Sequence, residues 1–86
     1  MQTRIAVTAI IVEEMESAEG VNALLHEYAR YMVGRMGVPY REKGVSVISV
    51  ILDAPQDVIS ALSGKLGMLK GVTSKTVYSR LPGVGV

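Results

Sequence analysis

Thr3-Arg4-Ile5-Ala6-Val7-Thr8-Ala9-Ile10-Ile11-Val12 alternates Ile5, Val7, Ala9 and Ile11 on one side with Ala6, Ile10 and Val12 on the other. A period of two predicts a strand, and apolar residues on both sides predict a central strand covered on both faces. Val45-Ser46-Val47-Ile48-Ser49-Val50-Ile51-Leu52 is β-branched and apolar on both sides too, and reads as a second central strand. Two further extended stretches are more polar. Gly37-Val38-Pro39-Tyr40-Arg41-Glu42 holds a proline, which cannot donate to a ladder and belongs at a sheet edge. Val72 to Tyr78 (VTSKTVY) is the other edge candidate.

Helical spacing fills the intervals. Ser17 is placed to cap a first helix whose stripe is Val21, Leu24, Leu25, Tyr28 and Met32, with Gly34 as its stop and Arg30 and Arg35 near its end. Lys43-Gly44 forms a tight turn. Asp53-Ala54-Pro55 starts a second helix, with Asp53 as cap and Pro55 in the first turn. Its stripe is Val58, Ile59, Leu62 and Leu66, and Gly67 and Gly71 bracket its end. Met32-Val33-Gly34-Arg35-Met36-Gly37 aligns with Leu62-Ser63-Gly64-Lys65-Leu66-Gly67 as apolar, x, Gly, base, apolar, Gly, so the two halves read as copies of one unit with this pattern ending each helix. The order βαββαβ, as two right-handed units sharing one sheet, predicts an α+β ferredoxin-like split sandwich: a four-stranded antiparallel sheet with two helices on one face. Residues 1–80 read as a single domain and 81–86 as a loose tail.

The totals narrow the function. A chain of 86 residues makes one small domain with a marginal core, and such domains commonly gain stability by association. The absence of cysteine excludes disulfides, thiolate metal sites and cysteine nucleophiles. No apolar run reaches the roughly 18 residues that span a bilayer, and Met1-Gln2-Thr3-Arg4 leads directly into a strand without a signal-peptide pattern, so the expectation is a cytoplasmic protein with no membrane contact. Residues 1–29 set Arg4 against five glutamates, a net of −4, while 58–86 carry four bases and no acid, a net of +4. Helix-dipole complementation explains that split more simply than a basic docking edge.

Both helices cover one sheet face, yet both central strands are apolar on the other. A homo-oligomer, dimer or tetramer, is therefore expected to form through the sheet face. No catalytic constellation is present. His26 lies off the helical stripe with no second histidine or cysteine to complete a metal site, and Glu13, Glu14 and Glu16 lack Ca²⁺-loop spacing, so no metal and no cofactor is expected. The central strands lack the aromatics that stack RNA bases, and direct nucleic-acid binding is not expected. Ser46 and Ser49 sit on a strand with no base evidently within reach. What remains are two glycine-and-base clusters, 34–44 and 63–67. Turn chemistry at helix ends accounts for them most simply, but Arg35, Tyr40, Arg41, Ser63 and Lys65 are the candidates to hold a small anionic effector.

Leu24-Leu25-His26-Glu27-Tyr28, the 34–44 segment, Ala61-Leu62-Ser63-Gly64-Lys65-Leu66-Gly67 and Gly71-Val72-Thr73-Ser74-Lys75-Thr76 give the chain a close resemblance to the regulators of the iron-only hydrogenase system, over roughly residues 3–79. That resemblance implies a ferredoxin-like fold related to ACT-type regulatory domains and to the C-terminal domain of the nickel-responsive repressor, domains that commonly pair through their sheets. The repressor's nickel ligands have no counterpart here, and its DNA-binding arm is missing. The resemblance implies a non-enzymatic, ACT-like regulatory module acting as a homo-oligomer. The alternative is a structural module that docks on a hydrogenase maturation protein through the apolar sheet face.

Overall fold

The computed structural model describes residues 2–80. Strands β1 (Arg4–Val12), β2 (Met32–Tyr40), β3 (Val45–Ala54) and β4 (Val72–Tyr78) form one antiparallel sheet in the order β2-β3-β1-β4. Helices α1 (Ala18–Glu27) and α2 (Gln56–Gly67) complete the βαββαβ order. This is the expected ferredoxin-like α+β fold, and the two doubly apolar strands occupy its centre. The proposed tail at 81–86 lies outside the described residues. Among the described residues no helix is long and apolar enough to cross a membrane.

The core forms where alternate strand residues meet the helices. Ala6, Ile10 and Val12 of β1 and Ile48, Val50, Leu52 and Ala54 of β3 pack beneath Val21 and Leu25 of α1, Tyr28 just after it, and Ile59, Leu62 and Leu66 of α2. Each fully buried aliphatic side chain contributes about 1.5–3 kcal/mol. The one polar intruder on β1, Thr8, is also fully buried, and its hydroxyl pairs at 2.9 Å with that of Thr76, directly opposite on β4. Thr8→Val is expected to cost about 1 kcal/mol because it strands the Thr76 hydroxyl, whereas Thr8→Val with Thr76→Val should return close to the parent. Urea midpoints of the two single variants and the double variant check this; additive losses would mean that the pair is not coupled.

The opposite sheet face carries no helix. Ile5, Val7 and Ile11 of β1, Val47 and Ile51 of β3, Met36 and Val38 of β2 and Val77 of β4 share it, and all are exposed. The charged residues on this face are Asp53, opposite Ile5, and Lys75, opposite Ala9.

Four local expectations are corrected. The first helix ends at Glu27 with Tyr28 as its C-cap, and a tight turn at Ala29–Tyr31 sends Met32 straight into β2. Gly34 therefore lies in a strand, not at a helix stop, and Arg35 is a strand residue. Met32–Gly37 is strand and Leu62–Gly67 is helix, so their matching pattern is a coincidence of sequence with no shared structure. Asp53 is not a cap: β3 runs on to Ala54, and extended Pro55 takes the cap position, its carbonyl accepting from the amides of Val58 and Ile59. Ser17 precedes α1 as expected, but its hydroxyl donates to the Lys70 carbonyl at 2.6 Å and accepts no hydrogen bond from a helix amide. Buried there, it ties the β1–α1 connection to the α2–β4 loop, a long-range bond that outcompetes the local cap.

Candidate functional site

The five candidate residues fall into two groups. Arg35, Tyr40 and Arg41 follow β2 and the turn after it, and Ser63 and Lys65 lie on α2. β2 is an edge strand, and α2 packs over β4 and β1 at the far side of the sheet, so the helix-side surface of β2 is left without a roof. Arg35 and Gly37 point along this side, opposite Val50 and Ile48. The result is a cleft of about 250 Å³ between α1 and β2, floored by Val12 and Ile48 and flanked by Ala18, Asn22, Arg35, Gly37, Pro39 and Ser46. At its rim the Arg35 guanidinium donates to Asn22 Oδ1 at 3.3 Å.

Tyr40 and Arg41 border a second hollow with Met15, Gly44 and Val45, which shares Pro39 and Ser46 with the cleft. The β2 group thus forms one continuous tract around the end of the sheet. Lys65 is engaged elsewhere. Its ammonium bonds the Glu27 carboxylate at 3.2 Å and lies 5.2 Å from the centre of the Tyr28 ring, joining α2 to the end of α1. Hydrogen bonding to the Tyr28 hydroxyl, and then to Glu27, holds this ammonium above the ordinary lysine pKa. A raised pKa makes the contribution of the pair complete below the ordinary lysine value and lost only as pH climbs through the raised one, so the neutral range leaves it intact. Ser63 is half-buried on the same helix.

The acidic connection after β1 is balanced by Lys70, whose ammonium lies 3.8 Å from Glu14 and 3.9 Å from Glu16. Among the described residues no group of three or more His, Asp or Glu side chains converges as a metal site would require. His26 is exposed on α1, as its place off the stripe predicts. Two residues of the cleft escaped the sequence. Asn22 reads as an ordinary solvated helix residue until the fold brings Arg35 to it, and Ser46 reads as strand filler. The one available signal was the i, i+4 spacing of Ala18 and Asn22, which puts both on one helix face.

The family described as "Iron-only hydrogenase system regulator, putative" (TM1266-like) matches residues 4–76, from the start of the first strand into the last. The chain belongs to this family. Its fold is shared with the uncharacterized protein TM1266 from Thermotoga maritima, at 37% identity and a TM-score of 0.87, over 91% of this chain and 99% of that one. Two more distant structures share the fold alone. A formyltetrahydrofolate deformylase from Pseudomonas putida KT2440 matches at 16% identity and a TM-score of 0.61, over 85% of this chain and 28% of the enzyme. CPII, a nitrogen regulatory PII-like protein from Thiomonas intermedia K12 bound to ADP, AMP and bicarbonate, matches at 18% identity and 0.51, over 92% of this chain and 93% of that one. No curated protein matches. The matched span of this hydrogenase-system regulator family includes β2, the turn after it and α2, and hence all five candidate residues.

Proposed function

We propose that the chain is a non-enzymatic, ACT-like regulatory module of the iron-only hydrogenase system, working in the cytoplasm as a homo-oligomer joined through its helix-free sheet face. The observation that carries this reading is that face. Its eight apolar residues are 38–69% exposed and span all four strands, and a large apolar patch of this kind marks an interaction surface. A standard interface takes about 800 Å² from each partner, which calls for an extended surface such as a whole sheet face. A second copy also suits the charge. One Asp53 and one Lys75 make the face neutral and offer each copy one cation and one anion, whereas a strongly acidic or basic partner would find no complement. Such an arrangement leaves the helix side, with the cleft along β2, open to an effector.

Multi-angle light scattering on the purified chain, repeated over a hundredfold dilution, tests the assembly. A mass of two or four chains that persists on dilution is the expected result. A single-chain mass at every concentration would overturn it and leave the face to a protein of the hydrogenase system, such as a maturation protein.

A further inference from the structure

We infer that the cleft between α1 and β2 is a binding site for a small aliphatic carboxylate, with Arg35 holding the carboxylate and Gly37 keeping the apolar floor open. This rests on the reading of the chain as an effector-binding module and assigns the effector a place and a chemical class. The key residue is Gly37. It sits inside a strand, where glycine weakens pairing, and its backbone does not need glycine, since among the described residues positive φ is confined to Gly44 and Gly71. It is not required for packing either. A side chain built on it would meet Ile48 Cγ1 at 3.9 Å, an ordinary contact that would close the cleft onto the core. A glycine that neither the backbone nor the packing demands marks a place where something else approaches the strand.

What approaches is set by the lining. Val12, Ala18, Ile48 and Pro39 give an apolar bed, and Arg35 supplies a cation at its rim, already turned inward by its bond to Asn22. A guanidinium presents paired N–H groups that match a carboxylate's two oxygens, and among the described residues no acidic side chain lines the cleft to compete for them. The volume of about 250 Å³ falls below the roughly 300–1,000 Å³ of sites for drug-sized molecules. Inorganic phosphate would leave the apolar bed in water. A carboxylate on a short, branched hydrocarbon satisfies both ends.

The probe is 4-methylpentanoate, titrated into the ¹⁵N-labelled full chain and followed by amide chemical shifts. Its neutral amide and acetate serve as controls that remove the charge or the hydrocarbon. Saturable shifts should centre on Ala18, Asn22 and residues 35–39, and each control should bind at least tenfold more weakly. Arg35→Gln should weaken the acid at least tenfold but leave the amide unchanged. Gly37→Val should abolish binding with a melting temperature no lower than that of the parent, which separates a filled cleft from a damaged fold. Lys65→Gln should leave affinity unchanged. Equal binding of acid and amide, shifts centred on α2 instead, or no saturation in the millimolar range would each overturn the site. Light scattering of the same samples reports the assembly independently, so a persistent oligomer with an empty cleft sinks this inference and spares the assembly.

Discussion

Val7→Asp is expected to leave the domain folded and to raise the dissociation constant of its self-association at least a hundredfold. Val7 lies at the middle of the helix-free face, with Ile51 opposite on β3 and Val77 opposite on β4, and it is 38% exposed in the single chain. In an isolated chain the new carboxylate reaches water, so the fold loses only the strand preference of valine over aspartate, about 1 kcal/mol. Against a second copy the same carboxylate is desolvated among aliphatic side chains. A buried charge without a partner costs about 3–5 kcal/mol, and two-fold symmetry presents it twice. With about 1.4 kcal/mol to each tenfold step, even one such charge exceeds a factor of one hundred. Circular dichroism and light scattering on one sample read both halves of the claim. A folded variant of unchanged mass would show that the face is not the contact.

The sheet was legible because centrality is written into strand composition. A strand covered on both faces needs apolar residues on both, and 3–12 and 45–52 have them, interrupted only by Thr3, Arg4 and Thr8 in the first and Ser46 and Ser49 in the second; an edge strand can be more polar, as the proline-bearing 37–42 and 72–78 are. The break between α1 and β2 was not legible, for a physical reason. Met32 falls four residues after Tyr28 and so extends the helical stripe, but it also sits opposite Leu52 on the core side of β2, where a strand requires an apolar residue. Both periodicities predict the same residue in the same place. The sequence does hold dissenting marks, Gly34, Gly37 and Pro39, all poor helix formers inside the supposed helix end and its sequel. Read together as one segment they argue for an extended edge.

The site was legible only in part, because its members are brought together across the chain. Arg35 is recognisable as a cation beside glycines, but its partner Asn22 lies thirteen residues upstream on another element. Lys65 looks equivalent to Arg35 in the sequence. Only the packing of α2 on α1, which sets Glu27 and Tyr28 beside it, shows that its charge serves a helix–helix contact. Local pattern identifies residue chemistry, and long-range packing decides what that chemistry is available for.

Gly71→Ala is expected to destabilise the domain by about 2–4 kcal/mol, against about 1–2 kcal/mol or less for Gly44→Ala. The two glycines have nearly the same backbone, with φ of 69° and 68°, so a side chain at either position is strained alike. Their surroundings differ. Around Gly44 a methyl group meets nothing within 4 Å, whereas at Gly71 it would stand 2.7 Å from Glu14 Cβ and 3.0 Å from the Glu14 backbone nitrogen. That backbone cannot simply withdraw, because the neighbouring Glu13 amide donates to the Gly71 carbonyl at 2.7 Å and the Ser17 hydroxyl holds the Lys70 carbonyl. Relief must break one of these bonds, and with it the clamp between the β1–α1 connection and the α2–β4 loop. Urea midpoints of the two variants give the comparison directly; equal losses would mean that the connection yields freely and that the clamp is weak. Because the clamped connection leads into the first turn of α1, which carries Ala18 and Asn22 to the cleft, Gly71→Ala should also disturb the amides of the cleft wall, while Gly44→Ala should leave Ala18 and Asn22 in place.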